Sequence, residues 1–341
     1  MNIVFKKINA ANRLINPFKD FSLDEIPLEI RFDPLTGQTG RVFDLFFKPE
    51  RIDPSETVKR SEEMFCPFCP DALEKSTPMF PKEIIPEGRI KVGQASLIPN
   101  LVPFDKYAGV SILSHRHFVP IEDLIPETME ESFEAAQIFA KRIVEIDSDV
   151  NFISINWNYM PPAGSSIVHP HIQVNCGDLP TNELRMQVES SGKYFRENGS
   201  SFWNDFIKVE KENDERYIGK IDSTFWMMSY VPQGFLPDIW CIFSEHCSII
   251  DLDRNGLNSF LKGLSKVFNY FNRQNILSFN MAVFSVKDED HFRVNAKICP
   301  RLYPRPIGNS DQAYLQAVHN EPFCVRPPES LCKKVKEVFE A

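Results

Sequence analysis

Apolar positions along the chain change period several times, and each change marks an element. In IPETMEESFEAAQIFAKRIVEID, Met129, Phe133, Ala136, Phe139, Ala140 and Ile143 recur at steps of three and four, which gathers them on one helical face. In NFISINWN the period is two: Ile153, Ile155 and Trp157 alternate with other residues, as in a half-buried strand. The turn-rich YMPPAGSS then delivers the chain into IVHPHIQV, a second strand. Upstream, residues 17–90 are dominated by proline and charge, with PLTG at 34–37, FCPFCP at 65–70 and PEG at 86–88, and predict a loop-rich N-terminal section.

The same order recurs with almost no identity. Pro103 stands 14 residues before His117, and Pro232 stands 14 residues before His246. Each stretch is followed by an amphipathic helix, the second carrying Leu257, Phe260, Leu261, Leu264, Phe268 and Phe271. Each helix is followed by an alternating strand, SFNMAVFSV in the second copy, and by a last strand, HPHIQV in one and NAKICP in the other. The pattern predicts two copies of one α+β unit, at about 95–180 and 222–302, joined by a polar, helical and looped segment 181–221. The expected division is 1–180, 181–221 and 222–341. The copies are unequal: Asn295 and Lys297 stand where the first has His169 and His171, so chemistry is expected in the first copy only.

Composition narrows the function. With 341 residues and 43% apolar content the chain can bury a sizeable core. Its 38 basic against 47 acidic residues, net −9, speak against a general nucleic-acid binder, whose partner demands a basic face. No apolar run approaches the roughly 18 residues of a membrane span. The start, MNIVFKKINAANRLI, lacks a signal-peptide core and cleavage site, so a cytoplasmic protein is expected. Of eight cysteines only Cys66 and Cys69 are close, and the other six read as reduced, buried thiols.

Residues i, i+2 and i+4 of a strand share a face, so His169, His171 and Gln173 project together. A histidine on a strand is commonly an ordinary packed residue. Here the preceding turn changes the reading: Gly164 permits close backbone approach, Ser165 and Ser166 offer hydroxyls and N–H groups, and Asn158 adds a neutral donor, the makings of an anion site. The C-x-x-C pair suits a metal knuckle, a redox couple or a plain turn.

These residues together, Asn158 followed after ten residues by HPHIQ, with C-x-x-C roughly 100 residues upstream and a duplicated fold, resemble the galactose-1-phosphate uridylyltransferase branch of the histidine-triad superfamily. RFDPLTG at 31–37, IPN ending at Asn100, and SHRH ending at His117 are similar to further motifs of that family. The resemblance implies two histidine-triad-like units, each an antiparallel sheet with helices packed on it, and a zinc-stapled N-terminal section. It implies that His171 attacks the α-phosphorus of a nucleoside diphosphate compound and holds the nucleotidyl group until a sugar phosphate or phosphate takes it. Gln173 would donate to the phosphoryl oxygens, where hydrolytic members carry a third histidine, which favours transfer to phosphate over transfer to water. Ser165, Ser166, Gly164 and Asn158 would hold the phosphates, Asn100 the nucleoside, and Arg31 either a phosphate or nothing but solvent.

By the same resemblance Cys66, Cys69, His117 and His169 would bind one structural zinc, with His115 the competitor for the third place. A second metal site of some relatives falls here on Gln187, Asn295 and Lys297 and is expected to be missing. Ala317 and Val318 replace the family's sugar-binding tyrosine and glutamate, and Leu101 and Val102 replace an aspartate and an aromatic beside the base, so neither galactose nor uridine is implied. Arg301, Arg305 and Arg326 are further basic candidates. The functional expectation is a nucleotidyltransferase, with a nucleotide phosphorylase and a non-catalytic nucleotide sensor as alternatives, acting as a homodimer like its relatives.

Overall fold

The start of the chain folds into strands where its proline and charge suggest loops. In the computed structural model, which describes residues 3–302 and 309–341, β1 (Lys7–Asn16) and β2 (Ser22–Phe32) form an antiparallel hairpin, and β3 (Thr39–Val42) extends it. The hairpin escaped the sequence because both its faces are largely solvated, so no alternation of apolar residues marks it. Beyond it the expected irregular chain returns, interrupted by two short helices, α1 (Ser55–Glu62) and α2 (Pro70–Ser76).

The first copy follows, opening with β4 (Ile90–Val92) a few residues ahead of the expected start near 95, then β5 (Ala95–Pro99), β6 (Tyr107–Ile112), the long α3 (Pro126–Ile146), β7 (Phe152–Tyr159) and β8 (His171–Gly177). Two helices follow, α4 (Asn182–Asn198), capped by the Thr181 hydroxyl, and α5 (Phe202–Asn213). The second copy repeats the order with β9 (Tyr217–Ile221), β10 (Thr224–Met228), β11 (Ile239–Phe243), α6 (Arg254–Arg273), β12 (Phe279–Val286) and β13 (Asn295–Pro300). The C-terminal segment returns to the start of the chain: after α7 (Tyr314–Ala317), β14 (Phe323–Cys324) adds parallel to β3, and α8 (Pro328–Glu340) packs on α6 and β9.

Strands β4 to β13 make one antiparallel sheet in the order β4-β5-β6-β8-β7-β12-β13-β11-β10-β9. The order reads alike from both edges, and the copies meet where β7 pairs with β12, from Phe152 opposite Val286 to Tyr159 opposite Phe279. Helices α3 and α6 lie side by side over one face, with Phe133 and Phe260 in edge contact and the Trp157, Phe268 and Phe279 rings beneath. Burying each of these rings contributes about 1.5–3 kcal/mol, so this shared core fixes the two copies to each other. On the opposite face α4 and α5 cover the second copy through Phe202, Trp203 and Phe206, while Phe68 and Leu73 of the cysteine knuckle cover Ile98, Val110 and Ile112 of the first. Between the two covers runs a polar strip of sheet. Among the described residues no helix is long and apolar enough to cross a membrane.

Candidate functional site

The polar strip owes its chemistry to the period of two. Along β8, Ile172, Val174 and Cys176 are buried in the core under α3, while His171, Gln173 and Asn175 are half-buried on the other face. Asn156 of β7 lies directly opposite Gln173, and Asn158 lies opposite Asn280 of β12. The Gln173 amide has no hydrogen-bond partner among the described residues.

His169 stands just before the strand and is fully buried. Its Nε2 faces the Ser114 carbonyl at 2.8 Å, so that nitrogen carries the proton and Nδ1 turns its lone pair to Cys66 Sγ at 3.8 Å and Cys69 Sγ at 3.7 Å. His117 Nδ1 is 3.3 Å from Cys69 Sγ, and its Nε2 meets the Ser61 hydroxyl at 2.9 Å. The four ligand atoms all lie within 4.8 Å of one another, so Cys66, Cys69, His117 and His169 form a group able to hold a metal. Each imidazole is oriented by an oxygen on its far nitrogen, the usual support of a metal ligand. Burial, with the neighbouring histidines against it, pushes His169 down to about 4 and keeps it neutral, the form that ligates. Burial and the adjacent Cys66 push the Cys69 thiol up to about 11. His115 is exposed and outside the group.

His171 donates its Nδ1–H to the backbone carbonyl of His169 at 2.9 Å, which leaves the lone pair on Nε2. Its ring stands edge-on to Phe68 at 5.1 Å, and burial holds its pKa below the ordinary histidine value. A neutral imidazole with one nitrogen anchored and the other free is a nucleophile ready at neutral pH.

The turn after β7 is tight. Met160 adopts φ 69° and Gly164 φ 83°, a conformation that costs a non-glycine residue about 1–3 kcal/mol at the first position. Gly164 and Ser166 are exposed, whereas Ser165 is buried and its hydroxyl donates to the Ile167 carbonyl at 2.7 Å. Asn100 accepts from the Val102 N–H at 3.0 Å, leaving its Nδ2 buried without a partner. Leu101, Val102 and Phe104 beside it are exposed.

Arg31 does not reach this site. It is buried, pairs through both terminal nitrogens with Glu329 at 2.9 and 3.0 Å, gives Nε to Glu29 at 2.8 Å and Nη1 to the Tyr230 carbonyl at 3.1 Å, and so has no face left for a phosphate. Its place is a joint between the N-terminal sheet and α8. Arg326 lies 3.9 Å from Asp44, Arg301 is bound to Asp311, and Arg305 falls outside the described residues. Gln187, Asn295 and Lys297 do come together: Asn295 donates to Gln187 at 3.0 Å, Gln187 to Glu183 at 2.9 Å, and the Lys297 ammonium pairs with the same Glu183 oxygen at 2.6 Å. Sequence reasoning passed over Asn280, whose only signal was a polar residue at a site-facing position of SFNMAVFSV.

No protein-family profile matches the chain. An uncharacterized protein of Archaeoglobus fulgidus is 31% identical over 336 residues, 98% of each chain. Among solved structures, a galactose-1-phosphate uridylyltransferase-like protein of Arabidopsis thaliana aligns with a TM-score of 0.68 at 18% identity, and an ADP-glucose phosphorylase of the same plant, with bound ADP-glucose, at 0.67 and 18%. A uridylyltransferase aligns at 0.64 and 16%; all three alignments cover 91% of this chain and 98% of the other. The chain therefore belongs to one family with the archaeal protein, and it shares its fold with the galactose-1-phosphate uridylyltransferase-like protein, the ADP-glucose phosphorylase and the uridylyltransferase.

Proposed function

We propose that the protein is a nucleotidyl-transferring enzyme whose covalent intermediate forms on His171. The observation that carries this reading is the free Nε2 of a ring anchored through Nδ1, on the same strand face as the unpartnered Gln173. Nε2 attacks the α-phosphorus of a nucleoside diphosphate sugar or related nucleotide, the bond from phosphorus to the bridging oxygen breaks, and a sugar phosphate leaves. An oxygen of the acceptor phosphate then attacks the same phosphorus, and the N–P bond breaks. Gln173, Ser166 and Asn158 donate to phosphoryl oxygens, and Asn100 contacts the nucleoside; the Gly164 N–H is spent on the Pro161 carbonyl at 2.8 Å, so Gly164 serves by leaving room for the phosphate rather than by donating to it. Donors fixed before substrate arrives stabilise the charge that gathers on the transferring group without reorganising.

Cys66, Cys69, His117 and His169 fit a closed, structural zinc, which supplies no open position for substrate. Through Cys66, Cys69, His117 and His169 such an ion would tie the knuckle to the chain immediately before β8 and so steady the His169 carbonyl on which His171 rests. Likeness to a phosphorylase with ADP-glucose bound supports a second reading, in which the acceptor is inorganic phosphate.

Mixing the protein with UDP-glucose and, separately, with ADP-glucose, then recording its intact mass, tests the proposal. Gain of one UMP or AMP, lost in His171→Ala, is expected. A chain that gains no mass with either, or gains it equally without His171, would overturn it. Adding orthophosphate or sugar phosphates to the loaded protein then separates the two acceptor readings.

A further inference from the structure

Asn158 lies at the end of β7 beside the turn that carries Gly164 and Ser166, and its amide could present either its oxygen or its nitrogen to a bound phosphate. An oxygen there would repel the anion. Which end faces the site is decided one strand away, in the second copy. Asn280 of β12, directly opposite Asn158, accepts from Arg301 Nη1 at 2.6 Å through its Oδ1. Its Nδ2 donates to Asn158 Oδ1 at 2.7 Å and to the Ala163 carbonyl at 2.8 Å. Arginine only donates and a backbone carbonyl only accepts, so both anchors force the same orientation on Asn280. Arg301 is itself held by Asp311, with Nε 3.0 Å from both carboxylate oxygens and Nη2 2.6 Å from Oδ1, and Asp311 also accepts from the Leu302 N–H at 2.7 Å. With its oxygen engaged by Asn280, Asn158 has its Nδ2 left over, and that group has no partner among the described residues.

We propose that Asn280 and Arg301 are positioning residues that preset Asn158 as a phosphate donor and, through the Ala163 carbonyl, hold the turn in place; this rests on the reading of the site as a nucleotidyl-transfer centre. The relay assigns the second copy a part in the reaction although it carries no nucleophile. It also gives Arg301 a task other than touching substrate.

The test is a double-mutant cycle on the affinity of the full-length protein for UDP and for ADP, by titration calorimetry. In the unmodified background Asn280→Ala is expected to weaken binding about tenfold, but no more than about twofold when Asn158 is already alanine, because coupled residues fail to add. A purely structural role for Asn280 would give the same loss in both backgrounds, and that result, or no loss in either, overturns the proposal. Asn280→Leu, which nearly keeps the volume without adding a charge beside the anion, replaces the alanine variant should that not fold, with the same comparison between backgrounds. Failure of the unmodified protein to bind either nucleotide would instead overturn the proposed function and this inference with it.

Discussion

His171 rests on His169 through a 2.9 Å hydrogen bond from its Nδ1–H to the His169 backbone carbonyl, while the His169 side chain turns the other way to the cysteines. The proposed metal ligand and the proposed nucleophile are thus coupled through backbone rather than through their rings. A metal bound there would fix the His169 ring and, with it, the carbonyl on which the His171 ring rests.

Removing the metal should therefore impair chemistry more than binding. Cys66→Ser, or prolonged chelation, is expected to abolish the single equivalent of metal and slow formation of the His171 adduct about 10–100-fold, with nucleotide affinity changing far less. Elemental analysis and single-turnover kinetics check this; unchanged metal content would remove Cys66 from the site. Because the Cys69 thiol sits near 11 without metal, loading must expel its proton, so metal affinity should rise from pH 6.5 to 8 in competition with a chelating dye.

The two serines of the turn should separate stability from binding. Ser165→Ala deletes a buried donor and strands the Ile167 carbonyl, which costs about 1 kcal/mol and should lower the melting temperature. Ser166→Ala touches nothing in the fold and should leave melting unchanged while weakening nucleotide binding several-fold. Equal melting temperatures for both variants would contradict this division.

Gly263, in the middle of α6, inverts the usual rule for helical glycines. Replacement by alanine ordinarily stabilises a helix by about 1 kcal/mol. Here a Cβ would lie 2.2 Å from the Trp226 ring, which is stacked on Phe260 and cannot yield. Gly263→Ala should destabilise by about 2 kcal/mol or more in denaturant titration, the cost of overpacking.

Glu210 predicts a pH dependence of stability. It is fully buried and pairs with Arg216 at 3.0 Å, but Arg216 also serves Glu215 and Glu329, so burial wins and raises the Glu210 carboxyl to about 7. The folded state then holds a proton that the unfolded chain, with an ordinary value of 4.5, releases earlier. This group's contribution is complete below pH 4.5 and is lost as pH rises through 7. Glu210→Gln, a permanent mimic of the protonated acid, should match the parent at pH 5 and exceed it by about 1–3 kcal/mol at pH 8. A constant difference across that range would rule the shift out.

Sequence periodicity determined the two long helices, the strands that follow them and the duplication, because an apolar face must recur at 3.6 or 2.0 residues wherever one side meets a core. It also determined that His171 and Gln173 share a face, since adjacent positions on a strand alternate. It could not show the hairpin at 7–32, which has no core to write a pattern for, nor that the copies join edge to edge through β7 and β12. The distant pairings likewise belonged to the tertiary structure. Arg31, a plausible phosphate ligand in the chain, is consumed by Glu329, 298 residues away. Asn280, an unremarked polar residue, is brought by strand pairing against Asn158. Local spacing fixes which way a side chain points, but what it meets depends on loop closures that no local pattern records.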